Sequence, residues 1–275
     1  MTARRVGEGV AVHVALAVGG AASLLPLLWM VSASLMPAGE ASAIPPRLLP
    51  TAVTLAHYRE LFTRLDLARS FGNSAGLATA VTLIALFVNS MAGYAFAKLR
   101  FAGRDRLFRL LLAALVIPAQ VSMLPLFLML KGLGCINTYW GVIIPGMASI
   151  FGIFLVRQYA LTIPDSVLDA ARVDGAGELR IYRTLVLYLC APVLATLGLF
   201  TFMGTWNDFM WPLIVFADRD LYTLPVALAN LAGEHVQDTE LMMAGAVLTV
   251  LPVVLLFVLL QRYYVAGILA GGVKE

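Results

Sequence analysis

Six long apolar stretches separated by polar ones dominate the chain, at roughly 12–36, 71–97, 107–130, 139–156, 184–213 and 241–261. The hydrocarbon core of a bilayer is about 30 Å thick, so about 20 apolar residues rising ~1.5 Å each cross it as a helix. Stretches of this length with few charges predict membrane spans. Segments of about ten residues with alternating polarity, the mark of a transmembrane barrel, do not occur. The pattern predicts an all-α polytopic membrane protein, with six transmembrane helices in a single transmembrane domain over residues 1–275. Polar connections fall near 37–70, 98–106, 131–138, 157–183 and 214–240. In the first of these, "AIPPRLLP" reads as irregular extended backbone. Pro45, Pro46 and Pro50 fix their own φ and restrict the residues before them.

Composition agrees with this class. Of 275 residues, 61% are hydrophobic and 13% charged, with a mean hydropathy of +0.89, whereas a soluble domain is about half apolar. The net charge of +3 decides little; the placement of Lys and Arg decides orientation. One side receives Arg4 and Arg5, Lys98 with Arg100, Arg104, Arg106 and Arg109, then Arg157, Arg172, Arg180 and Arg183, and finally Arg262 with Lys274. That is thirteen of the 19 basic residues. The other side receives Arg47, Arg59, Arg64, Arg69, Lys131 and Arg219. The excess predicts a multi-pass membrane protein with both termini in the cytoplasm. The run from Val10 to Met36 is too long for the apolar region of a signal peptide, and no small-residue cleavage site follows it. It reads as a retained first span. Cys135 and Cys190 fit neither a disulfide framework nor a zinc site.

The longest cytoplasmic connection, 157–183, contains "IPDSVLDAARVDGAG". Its ends are marked: Pro164 precedes Asp165, which fits an N-cap, and Gly175 stands where a left-handed residue would close the helix. Its roughly ten helical residues span about 15 Å, too short to cross a bilayer but enough for one docking contact. Val167, Ala170, Ala171 and Asp174 share a face by their spacing, with Asp169 and Arg172 beside it. Helices that lie on lipid carry large apolar residues and a lysine-rich polar face. Alanines and aspartates point instead to a protein partner. A second short helix, near Glu178 to Leu185, would follow the glycine turn.

"DAARVDGA", with Tyr182 eight residues after Asp174 and a proline at Pro192, resembles the EAA loop of bacterial ABC-importer permeases. "NSAGLATAVT", "AGYAFAKLRFAGRDRLF", "FLVRQY", "TWNDFMWPL" and "MAGAVLTVLPVVLLFVLLQRYYVAGILAGGVK" extend the likeness over nearly the whole chain. Together they resemble the maltose-type carbohydrate-uptake permeases, in particular the second, six-span subunit of the pair. The resemblance implies that 157–183 is a cytoplasmic coupling loop seated in an ATPase cleft through Asp169, Ala170, Ala171, Asp174 and Gly175. It implies a homologous permease subunit, two cytoplasmic ATPase subunits, an extracytoplasmic solute-binding protein, surrounding membrane lipid, and a sugar or related polyol as substrate. It also implies that the cytoplasmic tail, 264–275, reaches the ATPase dimer interface. Three positions depart from the family pattern. Asp169 replaces a glutamate, Tyr182 a phenylalanine, and Tyr188 follows Leu187 where a proline is usual, which predicts a less kinked approach to the fifth span.

The chain offers no chemistry of its own to drive transport. A phosphate-binding P-loop ends in Gly-Lys-Ser/Thr, whereas Lys98, Lys131 and Lys274 are followed by Leu, Gly and Glu. ATP and Mg are therefore expected on the partner ATPase, with no cofactor, metal or nucleic acid here. His13, His57 and His235 are too scattered for a metal site. Asn207 and Asp208 of "TWNDFMWP", toward the outer end of the fifth span, are candidates for the translocation path, although helix-to-helix hydrogen bonds would equally explain them. The same structural reading suits Asn73, Ser74 and Asn89. Trp206 and Trp211 read as outer-interface anchors, and the small residues from Met243 to Val247 as close-packing positions. Pro118, Pro125, Pro145 and Pro252 are expected to bend their helices. Two rivals stand beside the importer. An ion-coupled secondary transporter would call for carboxylates or broken helices near the bilayer midplane, and a non-transporting membrane scaffold would need no coupling loop.

Overall fold

The computed structural model describes the backbone of residues 3–45, 47–64, 66–234 and 238–272, with side chains over 12–45, 47–63, 66–231 and 238–259. The described residues are helical, with no strand among them. In order the helices are α1 (Ala3–Ser34), α2 (Ala56–Arg64), α3 (Leu67–Lys98), α4 (Arg104–Ala114), α5 (Ala119–Gly132), α6 (Trp140–Gly146) and α7 (Ile150–Leu161). They continue with α8 (Asp165–Val173), α9 (Glu178–Ile181), α10 (Leu187–Leu189), α11 (Ala191–Trp206), α12 (Met210–Val215), α13 (Leu224–Glu234) and α14 (Thr239–Gly272). Four stretches are long and apolar enough to cross a membrane: Val12–Ser34, Leu67–Lys98, Trp140–Leu161 and Thr239–Leu259. Two more arise if bent pairs count as spans, α4 with α5 at 106° and Glu178–Leu189 with α11 at 79°.

The chain forms two compact units, residues 1–68 with 227–252, and 69–226 with 253–275. In the first, Ala33, Met36 and Ala41 are buried with Trp29 and Met243 against them. Glu240 is also buried there, where its Oε1 accepts from the Ala41 amide at 2.7 Å. Gly245 fills the close-packing role expected of it, since a Cβ at that position would run into the Leu228 side chain. The connection at 37–70 contains α2, whose His57 Nε2 lies 2.9 Å from the Met36 carbonyl oxygen.

In the second unit, α3 packs against its neighbours through Gly93, where an added Cβ would sit 2.7 Å from Val156 Cβ. The membrane segment Trp140–Leu161 is interrupted between α6 and α7. Asn89 Oδ1 accepts from the Ser149 amide at 3.0 Å, and Ser149 Oγ caps α7 by accepting from the Gly152 amide. Asn73 holds the other end of α3, donating to the Asp220 and Tyr222 carbonyls and accepting from the Tyr139 hydroxyl. Ser74 Oγ accepts from the Leu224 amide. These polar groups satisfy backbone ends inside the fold, as the structural reading expected.

Several expectations change. The apolar run at 107–130 is bent at Pro118 as expected, but by 106°, so that it forms two helices, because Pro118 cannot continue α4. The end of α4 tightens into three-residue turns from Leu115 to Ile117, and Pro118 opens α5. The run at 184–213 likewise breaks at Asn207–Phe209 into α11 and α12. Trp206 and Trp211 are buried, at 1% and 7% exposure, rather than anchored at an interface. Trp206 packs on Phe71 and Phe202, and Trp211 Nε1 donates to the Gly141 carbonyl at 3.0 Å. The approach to α11 is sharply bent despite Tyr188, since Pro192 at the start of α11 takes over the break. Helix α14 runs through Gly267 to Gly272, and the last residues of the expected tail, 273–275, lie outside the described residues, as does His235.

Candidate functional site, the helical loop that follows Leu161

Helix α8 follows Pro164, whose fixed φ of −60° suits the start of a helix. Pro164 is itself the cap residue, and Asp165 is the first helical residue rather than the N-cap. There it favours the positive end of the helix dipole and binds Lys98 Nζ at 2.6 Å. The Lys98 side chain is only 7% exposed, and its ammonium also donates to the Ile163 carbonyl at 2.6 Å. That ammonium holds the Asp165 carboxyl below the usual carboxylate range. The last residue of α3 is thereby tied to the first turn of α8.

The other end closes at Gly175, with φ +80°. Its amide donates to the Arg172 carbonyl, and the Ala176 amide to the Ala171 carbonyl, so the orphan carbonyls of the last turn are satisfied. Arg172 then locks the turn. Its Nη1 donates to Asp169 Oδ1 at 2.7 Å, and its Nε and Nη2 fork onto Glu178 at 2.7 and 3.3 Å. Glu178, then Asp169, hold the guanidinium in its charged form beyond its ordinary range. Tyr94 in α3 donates to Glu178 Oε2 at 2.5 Å. The chain Tyr94–Glu178–Arg172–Asp169 connects α3 to the C-terminal end of α8 through polar contacts alone.

Apolar packing fixes the same geometry. Leu168 is buried with Tyr94, Ala97, Ala160, Ile163, Ile181, Tyr182, Val186 and Cys190, and Ala171 and Ala176 pack against this cluster. Tyr182 stands at the start of a π-helical turn, Tyr182–Val186, and its hydroxyl lies 2.6 Å from Ser90 Oγ. The phenolic oxygen that distinguishes this residue from phenylalanine therefore has a partner within α3. A cleft of about 910 Å³ opens beside α8, lined by Lys98 at the end of α3, by Arg100 and Arg104, and by Asp165, Leu168, Asp169, Arg172 and Glu178.

The structure separates the five expected coupling residues. Asp169, Ala170, Asp174 and Gly175 are exposed, whereas Ala171 turns halfway into the chain's own core. Val167 and Val173 extend the outward surface, at 41% and 87% exposure. An isolated amphipathic helix cannot tell which of two adjacent alanines faces its own chain; the docking of Leu168 decides it. Lys98, Glu178 and Tyr94 were not singled out from sequence. Of these, only Glu178 carried a local signal, as an acidic residue beginning the helix after a glycine turn. Asn207 and Asp208 lie apart from α8, at the break between α11 and α12. Asn207 Nδ2 donates to the Met203 carbonyl, and Asp208 Oδ1 accepts from the Trp211 amide.

Residues 89–269 match the family described as binding-protein-dependent transport system inner membrane component. The chain is similar to the arabinooligosaccharides transport system permease protein AraQ of Halalkalibacterium halodurans, at 38% identity over 92% of this chain and 91% of that one. It is similar to the trehalose transport system permease protein SugB of Mycobacterium tuberculosis, at 33% over 92% and 93%. It is also similar to the melibiose/raffinose/stachyose import permease protein MelC of Bacillus subtilis, at 31% over 94% of each. Its fold matches a chain of a bacterial ABC transporter involved in import of the acidic polysaccharide alginate, with a TM-score of 0.84 over 96% of this chain and 99% of that one, at 24% identity. A multi-pass helical chain alike to these relatives over nearly its full length belongs to the family of inner membrane components of binding-protein-dependent transport systems.

Proposed function

We propose that the chain is the permease subunit of an ATP-binding-cassette importer for a sugar or related polyol, with ATP hydrolysed on a separate subunit. The observation that carries the proposal is the full-length similarity to permeases whose names specify arabinooligosaccharides, trehalose and melibiose. In this reading the chain pairs with a homologous permease of the maltose type, two cytoplasmic ATPases and an extracytoplasmic binding protein. Helix α8 is the coupling helix. Asp169, Ala170, Asp174 and Gly175 meet the ATPase, and Ala171 sets the seat of the helix from behind. Closure of the ATPase dimer moves α8, and α3 follows through Lys98 and Tyr94, because a short helix held at both ends has little freedom to absorb the motion. Asn207, exposed at a helix break beside Asp208, is the candidate contact for sugar in transit.

The test is reconstitution of the assembled complex with a panel of sugars and their binding protein. One sugar class should stimulate ATP hydrolysis and accumulate inside proteoliposomes. Hydrolysis indifferent to every sugar, with uptake driven instead by an ion gradient, would reject the proposal.

Orientation follows from the same reading, with both termini cytoplasmic. Cys135, partly exposed in the connection before α6, then faces outward, while Cys190 is fully buried. A membrane-impermeant thiol reagent on intact spheroplasts should label Cys135 and leave Cys190 unreacted. Labelling of Cys135 only after the membrane is opened would invert the topology.

A further inference from the structure

Arg100 and Arg104, which line the cleft beside α8, also open onto a second recess at the start of α4. Phe108 is the inward residue of α4, packed with Phe96 and Ile153, and the Arg157 guanidinium lies 4.1 Å above the Phe108 ring. With Phe108 inward, Arg106 and Arg109 project away from the bundle, and Leu107 and Leu110 lie on the adjoining face at 48% and 68% exposure. Arg100, Arg104, Arg106 and Arg109, with Asp105 and Phe101, line this second recess, of about 600 Å³. Asp105, its one acidic member, is taken by Arg104 Nε at 3.0 Å. Among the described residues the side chains of Arg100 and Arg106 make no hydrogen bond or ion pair, although the Arg100 charge also acts on the Asp165 carboxylate of α8. Four guanidiniums around a recess with one engaged carboxylate leave it strongly positive.

We infer that this recess binds the headgroup of an anionic phospholipid. A phosphodiester matches the fork of a guanidinium, which can bind two of its oxygens at once. The bend of 106° turns α4 well away from the direction of α5, and the outward arginines of α4 stand next to exposed leucines. A basic face beside an apolar one is how a helix sits at a lipid interface. Phe101, Leu107 and Leu110 are exposed next to the arginines; a free phosphate has no use for them, whereas acyl chains do. The inference goes beyond the transport reading and is independent of which sugar is carried.

The experiment is a lipid titration of the detergent-purified, assembled complex, with bound lipid counted by native mass spectrometry. Phosphatidylglycerol should be retained over phosphatidylcholine, and Arg100→Gln with Arg106→Gln should weaken that retention about thirtyfold, from the strength of two basic residues at an anionic surface. Arg100→Lys with Arg106→Lys keeps the charge and the fold and should retain most of the preference. Millimolar inorganic phosphate should not displace the lipid. Equal retention of the two lipids, an unaffected double glutamine variant, or displacement by phosphate would each overturn the inference. So would a variant that keeps its lipid but loses the ATPase subunit, since the surface would then be a protein contact.

Discussion

Ala170→Glu and Gly175→Val are each expected to abolish sugar uptake while the chain still reaches the membrane at near-normal level. Ala170 is exposed, so a glutamate there meets nothing in its own chain and costs little in the isolated permease. Against an ATPase cleft the same side chain adds bulk and a charge that must be desolvated, and the complex weakens. Gly175 acts differently. Its φ of +80° lies where an L-residue is strained, and valine there costs about 1–2 kcal/mol. No atom would touch the new Cβ within 4 Å, so the strain is purely conformational. The chain relieves it by opening the turn that Arg172 and Glu178 hold, and α8 is re-aimed. Uptake in cells, ATPase co-purification and expression separate these outcomes. Ala171→Glu is a weaker probe, because Ala171 packs on the Leu168 cluster and its loss confounds folding with docking. Normal uptake by both Ala170→Glu and Gly175→Val, with the ATPase still bound, would end the assignment of α8 as the coupling helix.

Gly93→Leu is expected to cost the second unit its fold. An added Cβ there would lie 2.7 Å from both Val156 Cβ and Cγ1 and 3.0 Å from the Arg157 amide nitrogen. Val156 is fully buried, and a backbone nitrogen cannot rotate aside. Helices α3 and α7 must therefore separate, and overpacking of this kind costs about 1–3 kcal/mol or more. The separation also strains the Phe96–Phe108–Ile153 cluster and the Arg157 contact above Phe108. Gly76 in the same helix is the control, since its Cβ would meet nothing within 4 Å. Replacing a helical glycine also gains up to about 1 kcal/mol of helix propensity. Gly76→Leu should keep the wild-type thermal midpoint in detergent, whereas Gly93→Leu should lose most of its monodisperse protein. Equal midpoints for the two variants would refute the close approach of α3 and α7.

The apolar runs alone led to the right class, because the bilayer demands long helices whose backbone is satisfied internally. The ends of α8 were equally readable, since Pro164 and Gly175 act through local backbone geometry. The bend at Pro118 was readable too, from the missing amide of proline, though not its size. The break at Asn207 was not, because it interrupts a sequence that remains apolar on both sides and hydropathy averages over a single missing hydrogen bond. Trp206 and Trp211 looked like interface anchors because tryptophan is enriched there. Their burial depends on Phe71 and Gly141, which lie far away along the chain.

Sequence by itself determined that this chain lives in a membrane, that its helices number at least four, and that a short helix ends at a left-handed glycine. All three follow from composition or from neighbours within a turn. Only the tertiary structure decided that Lys98 and Tyr94 hold the ends of α8, 65 or more residues apart in sequence. Only it decided that Ala170 faces out while Ala171 faces in. A hydrophobic period reports that a helix has two sides, but what each side meets is fixed by packing of distant segments, and that information is not local.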